Sequence, residues 1–133
     1  MPPSFCRIGG NVSDGRKRLG DWGESVAAVH LEAKGYRIVA RKWRCVWGEI
    51  DLIVQKQESY RFVEVRTRRG RSWGTPEQSI TRRKAETLQK VALAYLSEHD
   101  LESGWQIDLI AVVLDSRGKL ERCDHLENIV VQW

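Results

Sequence analysis

Two acids stand where a buried strand would carry aliphatic side chains. Asp51 lies inside Ile50-Asp51-Leu52-Ile53-Val54, and Glu64 inside Phe62-Val63-Glu64-Val65. A carboxylate in such a run is costly to desolvate unless it is paired, hydrogen-bonded or metal-bound, so both residues mark a site. Side chains alternate along a strand, which puts Glu64 and Arg66 on one face. If Gln55 to Tyr60 closes a hairpin, Asp51 comes beside Glu64. Two converging carboxylates form a hard-oxygen site that suits Mg²⁺ or Mn²⁺ better than zinc. An ion there would polarise a phosphoryl oxygen and lower the pKa of a bound water. The plainer alternative is that each acid pairs with Arg or Lys at a strand edge; for two acids at this spacing the shared site is favoured.

The surrounding charge fits a polyanionic ligand. Arg61, Arg66, Arg68, Arg69, Arg71, Arg82, Arg83 and Lys84 crowd one segment, opposed there only by Glu64 and Glu77. Basic groups that hold phosphates beside acids that hold a metal are what an enzyme acting on nucleic acid needs. A merely solvated face is the alternative. The net charge of +4 and pI near 9.1 are modest and by themselves say little about partners.

Bulk composition narrows the class. At 133 residues, 41% hydrophobic and 30% charged, the chain has the make-up of one ordinary globular domain. It shows no membrane-length apolar run and no signal-peptide pattern, so a cytoplasmic protein without a membrane partner is expected. Cys6, Cys45 and Cys123 are too scattered for a disulfide framework or a zinc site. His30, His99 and His125 are isolated and read as ordinary surface or partly buried histidines. No P-loop, dinucleotide fingerprint or nucleophile elbow occurs.

These side chains need positioning elements. Residues 1–16 lack any period and read as a flexible lead-in to a domain over 17–133. From about Leu19 the pattern turns helical, with Asp21 as a cap, Trp22, Val26, Val29 and Ala33 at helical spacing, and Gly35 as the stop. Glu24 shares a side with Ala27, Ala28 and Leu31, and an acid three residues after a capping Asp can also close a capping box. Strands are expected over Tyr36 to Lys42, Trp47 to Gln55 and Tyr60 to Thr67, forming an antiparallel meander, with Trp43 to Val46 as a connection. A loop over Arg68 to Pro76 precedes a helix capped by Thr81 or Ser79, whose apolar stripe is Leu88, Val91, Ala92, Tyr95 and Leu96. Its first turn holds Arg82, Arg83 and Lys84, where cations oppose the helix dipole but backbone N–H groups can receive a phosphate. Trp105 to Leu114 reads as a strand covered on both faces, in which Asp108 is a structural or supporting acid. After a turn at Asp115 to Gly118, Lys119 and Leu120 start a short last strand, and Ile129, Val130 and Trp133 are expected on the sheet edge.

The ordered motifs Gly20-Asp21-Trp22-Gly23-Glu24, Gly35-Tyr36, Gly48-Glu49-Ile50-Asp51-Leu52-Ile53 and Phe62-Val63-Glu64-Val65-Arg66-Thr67-Arg68, followed by Gly74 and Lys84, resemble the YraN-like (UPF0102) family. That family is similar to the restriction-endonuclease-like PD-(D/E)xK nucleases, archaeal Holliday-junction resolvases among them. The resemblance implies a single-domain α/β fold with an α-β-β-β-α-β core, a mixed central sheet flanked by helices. It implies Glu24 as the helix-borne acid, Asp51 as the second-strand acid and Glu64 as the acid of the (D/E)xK element, together holding Mg²⁺ or Mn²⁺. The activity implied is endonucleolytic cleavage of DNA, branched or structured DNA included, and a homodimer would suit such a substrate. Arg66 stands in the place of the superfamily lysine; arginine stays charged and cannot accept a proton, though it can hold a phosphate oxygen. Gln78 and Lys84 resemble secondary active-site positions, and Lys84 is a candidate to replace the missing lysine. A nuclease fold kept as a nucleic-acid-binding module, with lost chemistry at Arg66, is the alternative, and a protein-interaction domain using the six tryptophans is the third.

Overall fold

The computed structural model describes residues 15–70 and 76–129. Helix α1 (Gly15–Ala33) is followed by strands β1 (Arg37–Cys45), β2 (Gly48–Lys56) and β3 (Ser59–Arg69). A 3₁₀ turn (Pro76–Ser79) leads into helix α2 (Arg82–Glu98), then β4 (Gly104–Leu114) and β5 (Leu120–Leu126). The expected α-β-β-β-α-β order is present, with a fifth strand added. The strands lie in the order of the chain; β3 and β4 pair in parallel and every other neighbour pair is antiparallel. A parallel pair needs a long crossover, and α2 supplies it.

One helix covers each face of the sheet. Leu88, Val91, Ala92, Tyr95 and Leu96 of α2 pack on Ile50, Ile53, Phe62 and Ile107. On the other face Ala27, Ala28 and Leu31 of α1 pack on Leu52, Val54, Val63, Ile110 and Val112. β4 therefore contributes to both cores, and its residues from Ile107 to Leu114 are all buried. The hairpin between β2 and β3 closes as expected, with Gln57 in the left-handed region at φ +56°. Gly35, at φ +94°, ends α1 while Gly35 and Tyr36 donate their N–H groups to Glu32 and Leu31 carbonyls at 3.0 Å, a glycine-favouring stop.

Several boundaries differ from the sequence reading. α1 starts at Gly15, not near Leu19, so Asp21 is interior and caps nothing, and no capping box exists for Glu24. Trp22 and Val29 face outward, 40% and 66% exposed, and the buried face is the Ala27, Ala28, Leu31 side that Glu24 shares. Trp43 to Cys45 belong to β1, because Trp43 pairs with Ile50 and packs edge-on against Tyr95 at 5.1 Å. Arg68 and Arg69 extend β3 by pairing with Val113 and Leu114, so the loop begins later. The last strand is longer than expected, seven residues. Ile129 packs against the α2-side core; of the lead-in expected over 1–16, Gly15 and Arg16 belong to α1, while residues 1–14, Cys6 among them, and Arg71, Gly74, Val130 and Trp133 lie outside the described residues. Among the described residues no helix is long and apolar enough to cross a membrane.

Candidate active site where the second and third strands part

The β2–β3 ladder runs from Lys56 opposite Ser59 to Leu52 opposite Val63 and then stops. Asp51 and Glu64 would form the next pair. There a side chain takes over: the Val65 N–H donates to Asp51 Oδ2 at 2.8 Å. Asp51 is thereby anchored to the β3 backbone one residue from Glu64, and the strands part around the two acids.

Glu24 comes to the same place from α1. A Cβ added at Gly23 would stand 1.8 Å from Thr67 Oγ1, so only glycine lets α1 lie this close to β3. Glu24 is the next residue. Its Oε1 lies 2.8 Å from Lys42 Nζ, which also sits 2.9 Å from Asp21 Oδ1. Lys42 falls between Arg41 and Trp43, whose β2 partners Leu52 and Ile50 flank Asp51. Its φ of +49° is unusual for a non-glycine residue. Neither periodicity nor spacing signals Lys42 or its pairing with Asp21.

The fourth contribution comes from α2. Thr81 caps that helix, its Oγ1 accepting from the Lys84 N–H at 3.0 Å, and Lys84 Nζ then reaches to 3.6 Å from Glu64 Oε2. Arg66 Nη2 lies 3.2 Å from the same oxygen. The alternation expected for Glu64 and Arg66 is therefore found, and a lysine stands beside the acid after all. Glu24, Asp51, Glu64, Arg66, Arg68 and Lys84 line one cleft of about 380 Å³.

Electrostatics in this cleft are unbalanced. Glu64 is only 7% exposed; burial and the neighbouring Asp51 charge push its carboxyl up to about 7, against the opposing pull of Lys84 and Arg66. Burial likewise raises Glu24 to about 7, partly offset by Lys42 and reinforced by Asp51. A carboxyl driven this far above 4.5 lacks enough positive charge around it. On the donor side, Arg66 Nε is buried without a hydrogen-bond partner.

The donor set is three carboxylates without sulfur or imidazole, which fits a hard divalent cation. In the rotamers present, no three acidic, His or Cys side chains among the described residues converge tightly enough to enclose an ion. The mutual repulsion of the acids and this lack of convergence are compatible. Glu24 and Glu64 are near enough to Asp51 to feel its charge, but they are turned towards Lys42 and Lys84.

The other expected contacts divide. Arg68 lines the cleft, whereas Arg69, Gln78, Arg82 and Arg83 are exposed and do not line it, Arg82 lying 3.8 Å from Glu86. Arg71 is outside the described residues. Arg61, counted with this basic group from its sequence position, points to the opposite face: its Nη1 contacts Asp108 Oδ2 at 3.0 Å and Glu127 Oε1 at 2.8 Å. Asp108 is fully buried and also accepts from Gln106 Nε2, the Asn128 N–H and His125 Nε2 at 2.9, 2.9 and 2.7 Å. Although burial opposes it, these bonds hold the carboxyl below its ordinary value, so the acid is structural, as expected. His125, by contrast, is not isolated, and His99 stacks on Tyr95 with ring centres 4.1 Å apart.

Residues 23–112 match the family described as Uncharacterised protein family UPF0102. A UPF0102 protein of Roseiflexus castenholzii is 46% identical over 113 residues, covering 84% of this chain and 91% of that one. One from Herpetosiphon aurantiacus is 40% identical over 126 residues, covering 91% and 100%. Among solved structures, Pyrococcus furiosus SfsA in complex with Ca²⁺ overlaps loosely, at 15% identity and a TM-score of 0.37, over 84% of this chain and 63% of that one.

Proposed function

The chain belongs to the UPF0102 family, and on that premise we propose that it is a divalent-metal-dependent endonuclease hydrolysing phosphodiester bonds in DNA, branched DNA included. The observation that carries this reading is the meeting of Glu24, Asp51 and Glu64, from three separate elements, in one cleft edged by Arg66, Arg68 and Lys84. Asp51, Glu64 and Glu24 would hold Mg²⁺ or Mn²⁺. When bound, such an ion activates water and polarises a phosphoryl oxygen.

The chain's own residues supply the rest. Asp51 is fixed by the Val65 N–H, which orients its carboxylate without a flexible partner. Arg66 keeps a permanent charge and a buried, unpartnered Nε–H, a donor suited to a phosphate oxygen as negative charge builds there. Lys84, beside Glu64, is placed to orient the attacking water, and a lysine, unlike an arginine, can exchange a proton with it. Lys42 balances Glu24 until a cation takes its place.

The test is cleavage of linear, flap and four-way DNA with and without Mg²⁺ or Mn²⁺ by the natural chain and by Asp51→Ala. Metal-dependent cleavage lost in the variant supports the reading; equal activity in both, or none in either, defeats it. A second reading, a binding module without chemistry, draws on the cations already beside Glu24 and Glu64. It predicts salt-sensitive DNA binding unchanged in Asp51→Ala and no metal uptake.

A further inference from the structure

A second pocket opens on the α1 side of the sheet, at the end of β3 away from the cleft. It encloses about 590 Å³ and is lined by Lys34, Tyr36, Lys56, Ser59, Arg61 and Glu127. Three cations reach it from three places: the turn after α1, the end of β2 and the start of β3. Lys56 Nζ and Arg61 Cζ lie 5.1 and 5.3 Å from the centre of the Tyr36 ring, which therefore carries both. Lys56 Nζ also donates to the Lys34 carbonyl at 3.0 Å, fixing the two lysines together.

The two lysines are not neutralised, whereas Arg61 is paired. Among the described residues neither Lys34 nor Lys56 has a carboxylate partner. Lys34 Nζ is 2.7 Å from His125 Nδ1, and because His125 Nε2 donates to Asp108, that Nδ1 is the lone-pair nitrogen accepting from the ammonium. Arg61 makes both of its carboxylate contacts through Nη1, and its Nε is buried with no partner, a state that costs free energy until an acceptor arrives. The carboxylate facing the pocket is Glu127, 53% exposed and, among the described residues, paired with Arg61.

We propose that this pocket is a phosphate-binding site separate from the cleft. The phosphate displaces Glu127 from Arg61, accepts from the guanidinium at the Nη1 that Glu127 vacates, and is flanked by the Lys34 and Lys56 ammonium groups. Arginine's planar fork suits two phosphate oxygens, and the two lysines act as point charges beside it. The same group can arrive as a small phosphate or on a nucleic-acid strand.

The site is tested by following the Arg61 Nε–H resonance of the full ¹⁵N-labelled chain during titration with inorganic phosphate and, separately, with a 5′-phosphorylated single-stranded oligonucleotide. A saturable shift is expected in at least one arm; the phosphate arm alone identifies a small-anion pocket, the oligonucleotide arm alone a strand contact. Lys34→Gln and Lys56→Gln should each weaken binding roughly tenfold, the scale of one charge-assisted contact. Glu127→Gln should tighten it several-fold, and Asp51→Asn should leave it unchanged, which separates this site from the nuclease reading. Absence of a shift in both arms, a shift that both lysine variants retain in full, or one lost in Asp51→Asn overturns the proposal.

Discussion

Glu64 is held in a position that works against the stability of the folded chain. Its carboxyl stands near 4.5 when unfolded and about 7 when folded, and Glu24 behaves alike. For an acid shifted upward, the folded state is favoured while the group is protonated, so stability falls as pH rises from about 4.5 through 7 and the full penalty applies above that. Glu64→Gln should therefore melt several degrees above the natural chain at pH 8 and match it near pH 4, as read by thermal denaturation without metal. A variant less stable at pH 8 would mean that the Arg66 and Lys84 pairs outweigh burial. Lys84 carries the second residue-scale prediction. Lys84→Met should slow single-turnover DNA cleavage by about 10² or more, the usual scale of a lost proton-transfer group, whereas Arg66→Lys should retain most of the rate. Equal losses in both would give Lys84 no special role. Sequence made Asp51, Glu64 and the Arg66 departure visible, because acids and bases interrupt strand runs. It could not say which oxygen Lys84 meets, since that depends on the pose of α2.

Helix α1 serves the site through its closeness to β3, and Gly23 sets that closeness. Gly23→Ala puts a methyl group against Thr67 Oγ1, and the strain should cost about 1–3 kcal/mol in urea denaturation while displacing Glu24 and weakening metal binding. Adding Thr67→Ala removes the tightest contact and should restore part of both; no recovery would mean that the backbone, not the hydroxyl, limits the approach. The helix itself was legible, but its start was not: Gly15 to Arg18 are polar or basic and add nothing to an apolar period. The same limit hid the end of β1. Lys42 stands in the left-handed region at φ +49°, yet the strand continues through it to Trp43, whose ring packs on Tyr95 and whose backbone pairs with Ile50. The meander, the Thr81 cap and the apolar stripe of α2 could be read directly, since each rests on local spacing.

Across the whole molecule, buried acids with opposite shifts set a pH optimum. Asp108 is held below its ordinary 3.8, so its contribution is present above that value and is lost as pH falls beneath it. Combined with the two raised acids of the cleft, the metal-free chain should be most stable between about pH 4 and 5, with Asp108→Asn flattening the acidic side of that curve and Mg²⁺ moving the optimum towards neutrality. A metal-free optimum at pH 8 would contradict the assignment of both groups. The network around Asp108 was only half legible. Its Ile-Asp-Leu-Ile repeat of the β2 run identified a supporting acid, but His125, Arg61 and Asn128 reach it only through the pairing of β4 with β3 and β5, which no local pattern encodes. The proposed cleavage requires three carboxylates from α1, β2 and β3 to take up one divalent ion jointly. Calorimetric titration of Mn²⁺ at pH 8 into the natural chain and into Asp51→Asn tests that directly. One ion per chain is predicted, bound at least tenfold more weakly in the variant; no uptake by the natural chain, or equal uptake by both, would contradict it.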